Sequence, residues 1–153
     1  MIASLGHDDI QYWLSDEGHR SNILAEVMPC DVDWNWTHLG YVDEPREVYS
    51  QKEYRHHQPY EKEIFVDIFD RWKLLNSGKE FRVIWEIKPV LNKLGETLRQ
   101  CKSYKEILKA DAVIVVYNVS KYSKEVLKHF FETEQNFFIY QILPSQCKRL
   151  EEL

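Results

Sequence analysis

Residues that staple or interrupt a chain are scarce here: three cysteines, five glycines and five prolines in 153 residues. Cys30, Cys101 and Cys147 are odd in number and far apart, a pattern that suits neither a disulfide framework nor a zinc cluster. The expected setting is therefore reducing and intracellular, a cytoplasm. No run of about 18 apolar residues occurs, so no membrane-crossing helix and no membrane partner are expected. The opening MIASLGHDDIQYW lacks the basic start and long apolar core of a secretion signal. Internal repeats, low-complexity tracts and Gly/Ser linkers are missing as well, which favours one domain. Positive charge is not in excess: 20 Lys and Arg stand against 25 Asp and Glu, a formal net charge of −5. That balance argues against a protein that coats nucleic acid by bulk charge. It leaves room for contact with phosphates at a local site, where a bound metal would neutralise an acidic cluster.

What is present is a core. Apolar residues make up 44% and aromatic residues 14% of the chain, enough to bury a sizeable interior in a single domain. The expected division is an N-terminal helical and loop part over 1–45, a core over 46–142 and a tail over 143–153.

The stretch that organises the rest is Phe81–Tyr104, FRVIWEIKPVLNKLGETLRQCKSY. Its first residues are β-branched and aromatic and predict a strand. Glu86 and Lys88, two apart on that strand, share a face about 6.6 Å from each other along the backbone. Pro89 cannot donate to a ladder and is expected to close the strand. From Asn92 to Lys109 the period becomes helical, with Leu94, Leu98, Cys101, Ile107 and Leu108 as the apolar stripe. Gln100 and Tyr104, four apart, share one face of that helix. Upstream, IFVDIF (Ile64–Phe69) sets one charge, Asp67, in an apolar strand, where it is costly without a partner, a hydrogen bond or a metal. Asp70 is the reserve, but an odd separation puts it on the other face from Asp67. Asn76-Ser77-Gly78-Lys79 is turn chemistry joining the two strands as a hairpin. Two carboxylates and a lysine on adjacent strands make a candidate site for a hard divalent cation, Mg²⁺ or Mn²⁺.

Asp67 followed by Glu86-x-Lys88 and a helix resembles the PD-(D/E)xK nuclease superfamily, and Gln100-x-x-x-Tyr104 is similar to the extra motif of its RecB-type branch. Glu86-Ile87-Lys88-Pro89 with Leu94-Gly95-Glu96 and Arg99-Gln100 is also similar to small phage and prophage nuclease-like proteins. The likeness spans about Glu61–Gln141, and Val66 stands where the family name has proline. The resemblance implies an α/β, restriction-endonuclease-like core, a central mixed sheet flanked by helices in the order αβββαβαβ. It implies a Mg²⁺- or Mn²⁺-dependent deoxyribonuclease in which Asp67, Glu86 and the Ile87 carbonyl hold metal. Lys88, Gln100 and Tyr104 complete the implied catalytic set. Glu26, on an N-terminal helix, is the local candidate for an extra metal ligand. Arg99, Lys102, Lys105 and Arg55 are candidates for nucleic-acid contact. Gln100 and Tyr104 favour DNA ends or single strands; a resolvase of branched DNA or a restriction-type endonuclease, usually a homodimer, stays open because the chain is small, and a viral origin would place the protein in the host cytoplasm. The alternative is a catalytically inactive nuclease fold that binds nucleic acid or protein.

Elsewhere the expectations are coarser. Helices are expected over Asp8–Leu14 and Ser21–Val27, the second capped by Ser21. His7-Asp8-Asp9 invites comparison with His-Asp phosphohydrolases and is set aside, because no further histidines follow at helical spacing. DVDWNWTHLGY (Asp31–Tyr41) reads as a loop, either packed, a dimer contact or a stacking platform for bases. Glu47–His57 reads as an edge strand ending in Arg55, His56 and His57. Strands at Asp111–Tyr117 and Asn136–Ile142 flank a helix from Ser123 to Glu132 with Val126, Leu127 and Phe130 on its buried side.

Overall fold

The computed structural model describes residues 5–28, 36–47, 65–75 and 77–147. The expected Arg55, His56 and His57, most of the Glu47–His57 strand, and Cys30 lie outside these residues. In chain order the elements are α1 (His7–Leu14), α2 (Glu17–Val27), β1 (Trp36–Glu47), β2 (Phe65–Leu74), β3 (Glu80–Leu91), α3 (Leu94–Leu108), β4 (Ala112–Ser120), α4 (Lys124–Glu132), β5 (Phe137–Gln141) and a 3₁₀ turn (Pro144–Cys147). The strands form one five-stranded sheet in sequence order, antiparallel from β1 to β3 and parallel from β3 to β5. This is the mixed α/β sheet flanked by helices that the sequence led one to expect, with both expected N-terminal helices before the first strand where the resembled core order has one.

Two hydrophobic layers explain the placement of the helices. Phe69, Ile84, Val113, Val115 and Tyr117 pack on one face with Leu98, Cys101 and Leu108 of α3 and Leu127 and Phe131 of α4. Ile68, Trp72, Trp85, Ile114 and Val116 pack on the other with Ile10 and Leu14 of α1 and Ile23 and Leu24 of α2. A sheet covered on both faces needs a central strand without alternation, and β4 meets that need: Ala112–Asn118 is buried throughout.

Four local expectations need correction. Asp16, not Ser21, caps α2, its carboxylate accepting from the N–H groups of Gly18 and His19; Ser21 lies inside the helix. The first strand is built from Trp36 onward, so part of the expected tryptophan loop is strand β1. The buried side of α4 is Leu127 and Phe131, whereas Val126 is half-exposed. Pro89 does not end β3, which runs on to Leu91. The reason lies in the ladders. Pairing of β3 with β2 stops at Ile68↔Trp85, while pairing with β4 continues to Leu91↔Ser120. Ile87 directs its N–H to the β2 side, and Pro89, two residues on, directs its nitrogen the same way. Among the described residues no strand waits there for the missing donor.

Candidate active site

The parting of β2 from β3 creates the site. Beyond Trp85, β3 keeps β4 as a neighbour but no longer pairs with β2, which stays with β1. Asp67 on β2 fills the gap: its Oδ2 accepts from the Ile87 N–H at 2.7 Å. In an extended strand the N–H and C=O of one residue point to the same neighbour, so the Ile87 carbonyl faces the same opening. Glu86 and Lys88 flank it on one face of β3, with Lys88 Nζ 3.8 Å from Glu86 Oε2.

From α3, two residues complete a line behind the lysine. Lys88 Nζ donates to Gln100 Oε1 at 3.2 Å, and Gln100 Nε2 donates to the Tyr104 hydroxyl at 2.8 Å. An ammonium only donates, so it fixes which end of the Gln100 amide faces it and thereby the direction of the whole line. Burial, followed by the Glu86 charge, raises the Tyr104 pKa, so this hydroxyl keeps its proton. Cys101 packs beneath, fully buried, and burial drives its thiol far above the ordinary range; it is an inert filler.

The two carboxylates divide their roles. Glu86 is 4% exposed, and burial, then the charge and hydrogen bond of Asp67, hold its carboxyl well above the usual range. Burial pushes Asp67 the same way, but hydrogen bonds from His7, Glu86 and the Ile87 N–H together pull it below its ordinary value. Of the two, Glu86 is the carboxyl that gives up its proton less readily and Asp67 the one that ionises first.

His7, set aside in the sequence with Asp8 and Asp9, is the residue the fold adds here. It opens α1, and its Nε2 lies 2.8 Å from Asp67 Oδ1. An ionised carboxylate only accepts, so Nε2 carries the hydrogen. That bond raises the His7 pKa against the opposing effect of burial. One turn on, Gln11 Nε2 donates to the Asp67 backbone carbonyl at 3.2 Å. An N-terminal helix does lend a side chain to the site, but not Glu26, which is exposed on α2. Nothing in the spacing of His7 and Asp67, 60 residues apart, could have paired them.

The other expected residues are dispersed. Asp70 lies on the opposite face, bonded to Arg20, His38 and Trp85. Lys102 pairs with Glu134 at 2.8 Å, and Lys105 sits 5.7 Å from the Phe137 ring centre, so both lean toward the α4–β5 end. Arg99 is exposed next to Gln100, and Arg55 lies outside the described residues.

Among the described residues, no group of three or more His, Cys, Asp or Glu side chains is arranged to hold a metal ion. The donors nevertheless suit a hard cation in kind: two adjoining carboxylates and a backbone carbonyl, all oxygen. Mg²⁺ commonly takes only one or two carboxylates and completes its shell with water, so an all-protein cage is not required. His7, bonded to Asp67, would then orient that carboxylate from behind. No helix among the described residues is long and apolar enough to cross a membrane. Comparison of the sequence with protein-family models and with curated proteins finds no match.

Proposed function

We propose that the protein is a Mg²⁺- or Mn²⁺-dependent nuclease that hydrolyses phosphodiester bonds in DNA, a PD-(D/E)xK enzyme of the RecB type on a restriction-endonuclease-like core. The observation that carries this reading is the convergence of Asp67, Glu86 and Lys88 where β2 and β3 part, with Gln100 and Tyr104 bonded in line behind the lysine.

Asp67, Glu86 and the Ile87 carbonyl would hold the cation, which when bound polarises the scissile phosphate and lowers the pKa of a coordinated water. Lys88 orients that water and balances charge building on phosphorus. Gln100 limits the reach of Lys88 Nζ by accepting one of its hydrogen bonds, and Tyr104 holds the far end of the amide. His7 and the Ile87 N–H fix the Asp67 carboxylate from both sides, so little reorganisation remains for the reaction.

Cleavage of linear duplex, single-stranded and branched DNA with Mg²⁺, Mn²⁺ or EDTA tests the proposal, with folded Lys88→Ala alongside. Metal-dependent cutting is expected, reduced at least about a hundredfold in Lys88→Ala, the usual scale for losing one transition-state donor. The preferred substrate then names the branch. No cutting, together with no thermal shift on adding Mn²⁺, would sink the enzyme and leave a binding module on a nuclease fold.

A further inference from the structure

Asn118 interrupts an otherwise apolar buried strand and is itself only 4% exposed. An amide in such a place is costly unless both ends are bonded, and here both are. Its Oδ1 accepts from the Leu5 N–H at 3.3 Å, and its Nδ2 donates to the Ile142 carbonyl at 2.8 Å. Gln141 Nε2 closes the arrangement by donating to the Asn118 carbonyl at 3.0 Å. One side chain thus ties the segment entering α1 to the exit from β5. Two residues after Leu5 the helix begins, and its first residue is the one whose imidazole meets Asp67.

We propose that Asn118 is a positioning residue: by fixing where α1 starts, it places His7 against Asp67 and so sets the affinity of the carboxylate site for a divalent cation. The cation half of this statement rests on the metal-dependent reading above; the placement of His7 does not. Gln11 secures the same helix one turn later through the Asp67 carbonyl, so α1 stays docked while its first residue loses register when Asn118 is changed. A residue serving stability alone would weaken folding and leave the geometry of the remaining folded protein unchanged.

The test compares wild type, Asn118→Leu, His7→Ala and the double variant, each well below its melting temperature. Leu5→Pro is included because it removes the N–H that Asn118 accepts and leaves Asn118 itself in place, at the cost of some Leu5 packing against the core and a fixed φ. Two readouts are taken: the His7 ring ¹⁵N resonances, which report whether Nε2 is hydrogen-bonded, and Mn²⁺ affinity by calorimetry. In Asn118→Leu and Leu5→Pro the bonded Nε2 signature is expected to disappear and Mn²⁺ affinity to fall about tenfold, the scale for losing an orienting partner behind a ligand. Adding His7→Ala should lower affinity no further, because both changes act through one bond. An unchanged His7 signature in the folded variants, or losses that add in full, overturns the proposal. Should Asn118→Leu not fold, Leu5→Pro decides. Should wild type bind no Mn²⁺, the metal reading fails by itself, and the ring resonances still decide whether Asn118 places His7.

Discussion

Asp67 and Asp70 sit three residues apart on β2, and each is met by a histidine, His7 at 2.8 Å and His38 at 2.6 Å. There the likeness ends. Asp70 is fully buried against a fully buried Arg20, whose Nε lies 2.7 Å from Oδ2, and Trp85 Nε1 donates to the same oxygen at 3.3 Å. Its charge is cancelled and its oxygens are filled. Asp67 faces a second carboxylate instead, and their pKa values are pushed apart, Glu86 up and Asp67 down. The fold has thus answered one buried aspartate with a counter-charge and left the other in like-charged company. A satisfied pair holds structure together. A carboxylate with a second carboxylate beside it is the one a cation would stabilise, so the proposed site rests on Asp67 and not on Asp70.

The largest effect that would break this contrast is expected at Asp70. Asp70→Ala strands the Arg20 guanidinium in the interior, and urea denaturation should show a loss of about 3–5 kcal/mol. A loss below about 1 kcal/mol would mean that the Arg20 network does not hold α2 to the sheet as described. Glu86→Gln sharpens the other side of the comparison. Burial and then Asp67 already hold the Glu86 carboxyl well above the usual range, and a neutral amide of the same shape still donates to Asp67. Stability without metal should therefore change by less than about 1 kcal/mol, while the melting-temperature rise on adding Mn²⁺, and any cutting, should vanish. Substantial destabilisation without metal would reassign Glu86 to the structural class of Asp70.

The smallest effect is at the surface, where Glu80 is held by Arg71 at 2.8 Å and Arg82 at 2.6 Å. Hydrogen bonds from Arg71 and then Arg82 bring its pKa from 4.5 to about 2. A depressed carboxylate contributes stability above its unfolded pKa and loses it as pH falls, here between 4.5 and about 2. Solvent screening keeps the contribution below about 1 kcal/mol. Stability-versus-pH curves of wild type and Glu80→Gln should converge at the acid end of that window. A difference that persists to low pH would point to packing instead of charge.

Much of the scaffold could be read from residue patterns, because those patterns are local. The apolar run Ala112–Tyr117, the Gly78 turn with its φ of 71°, and the Ser123 cap whose Oγ accepts from Val126 N–H each encode their own geometry. The alternation rule likewise placed Asp67 and Asp70 on opposite faces, and four-residue spacing put Gln100 and Tyr104 within 2.8 Å of each other. Pro89 shows where local reasoning stops: whether a proline ends a strand depends on whether a neighbour needs its N–H, and the end of the β2 ladder lies elsewhere in the chain.

The sequence by itself determined the strand carrying Glu86 and Lys88, the isolated charge at Asp67 and the helix behind them, since periods of two and 3.6 residues sort side chains onto faces without knowledge of the rest. Only the tertiary structure decided that β2 leaves β3 just where Asp67 faces Glu86, that Arg20 neutralises Asp70, and that α1, strapped through Leu5 to Asn118, delivers His7. These are contacts across 50, 113 and 60 residues of chain. Closing such loops depends on the packing of both sheet faces at once, and no local spacing records it.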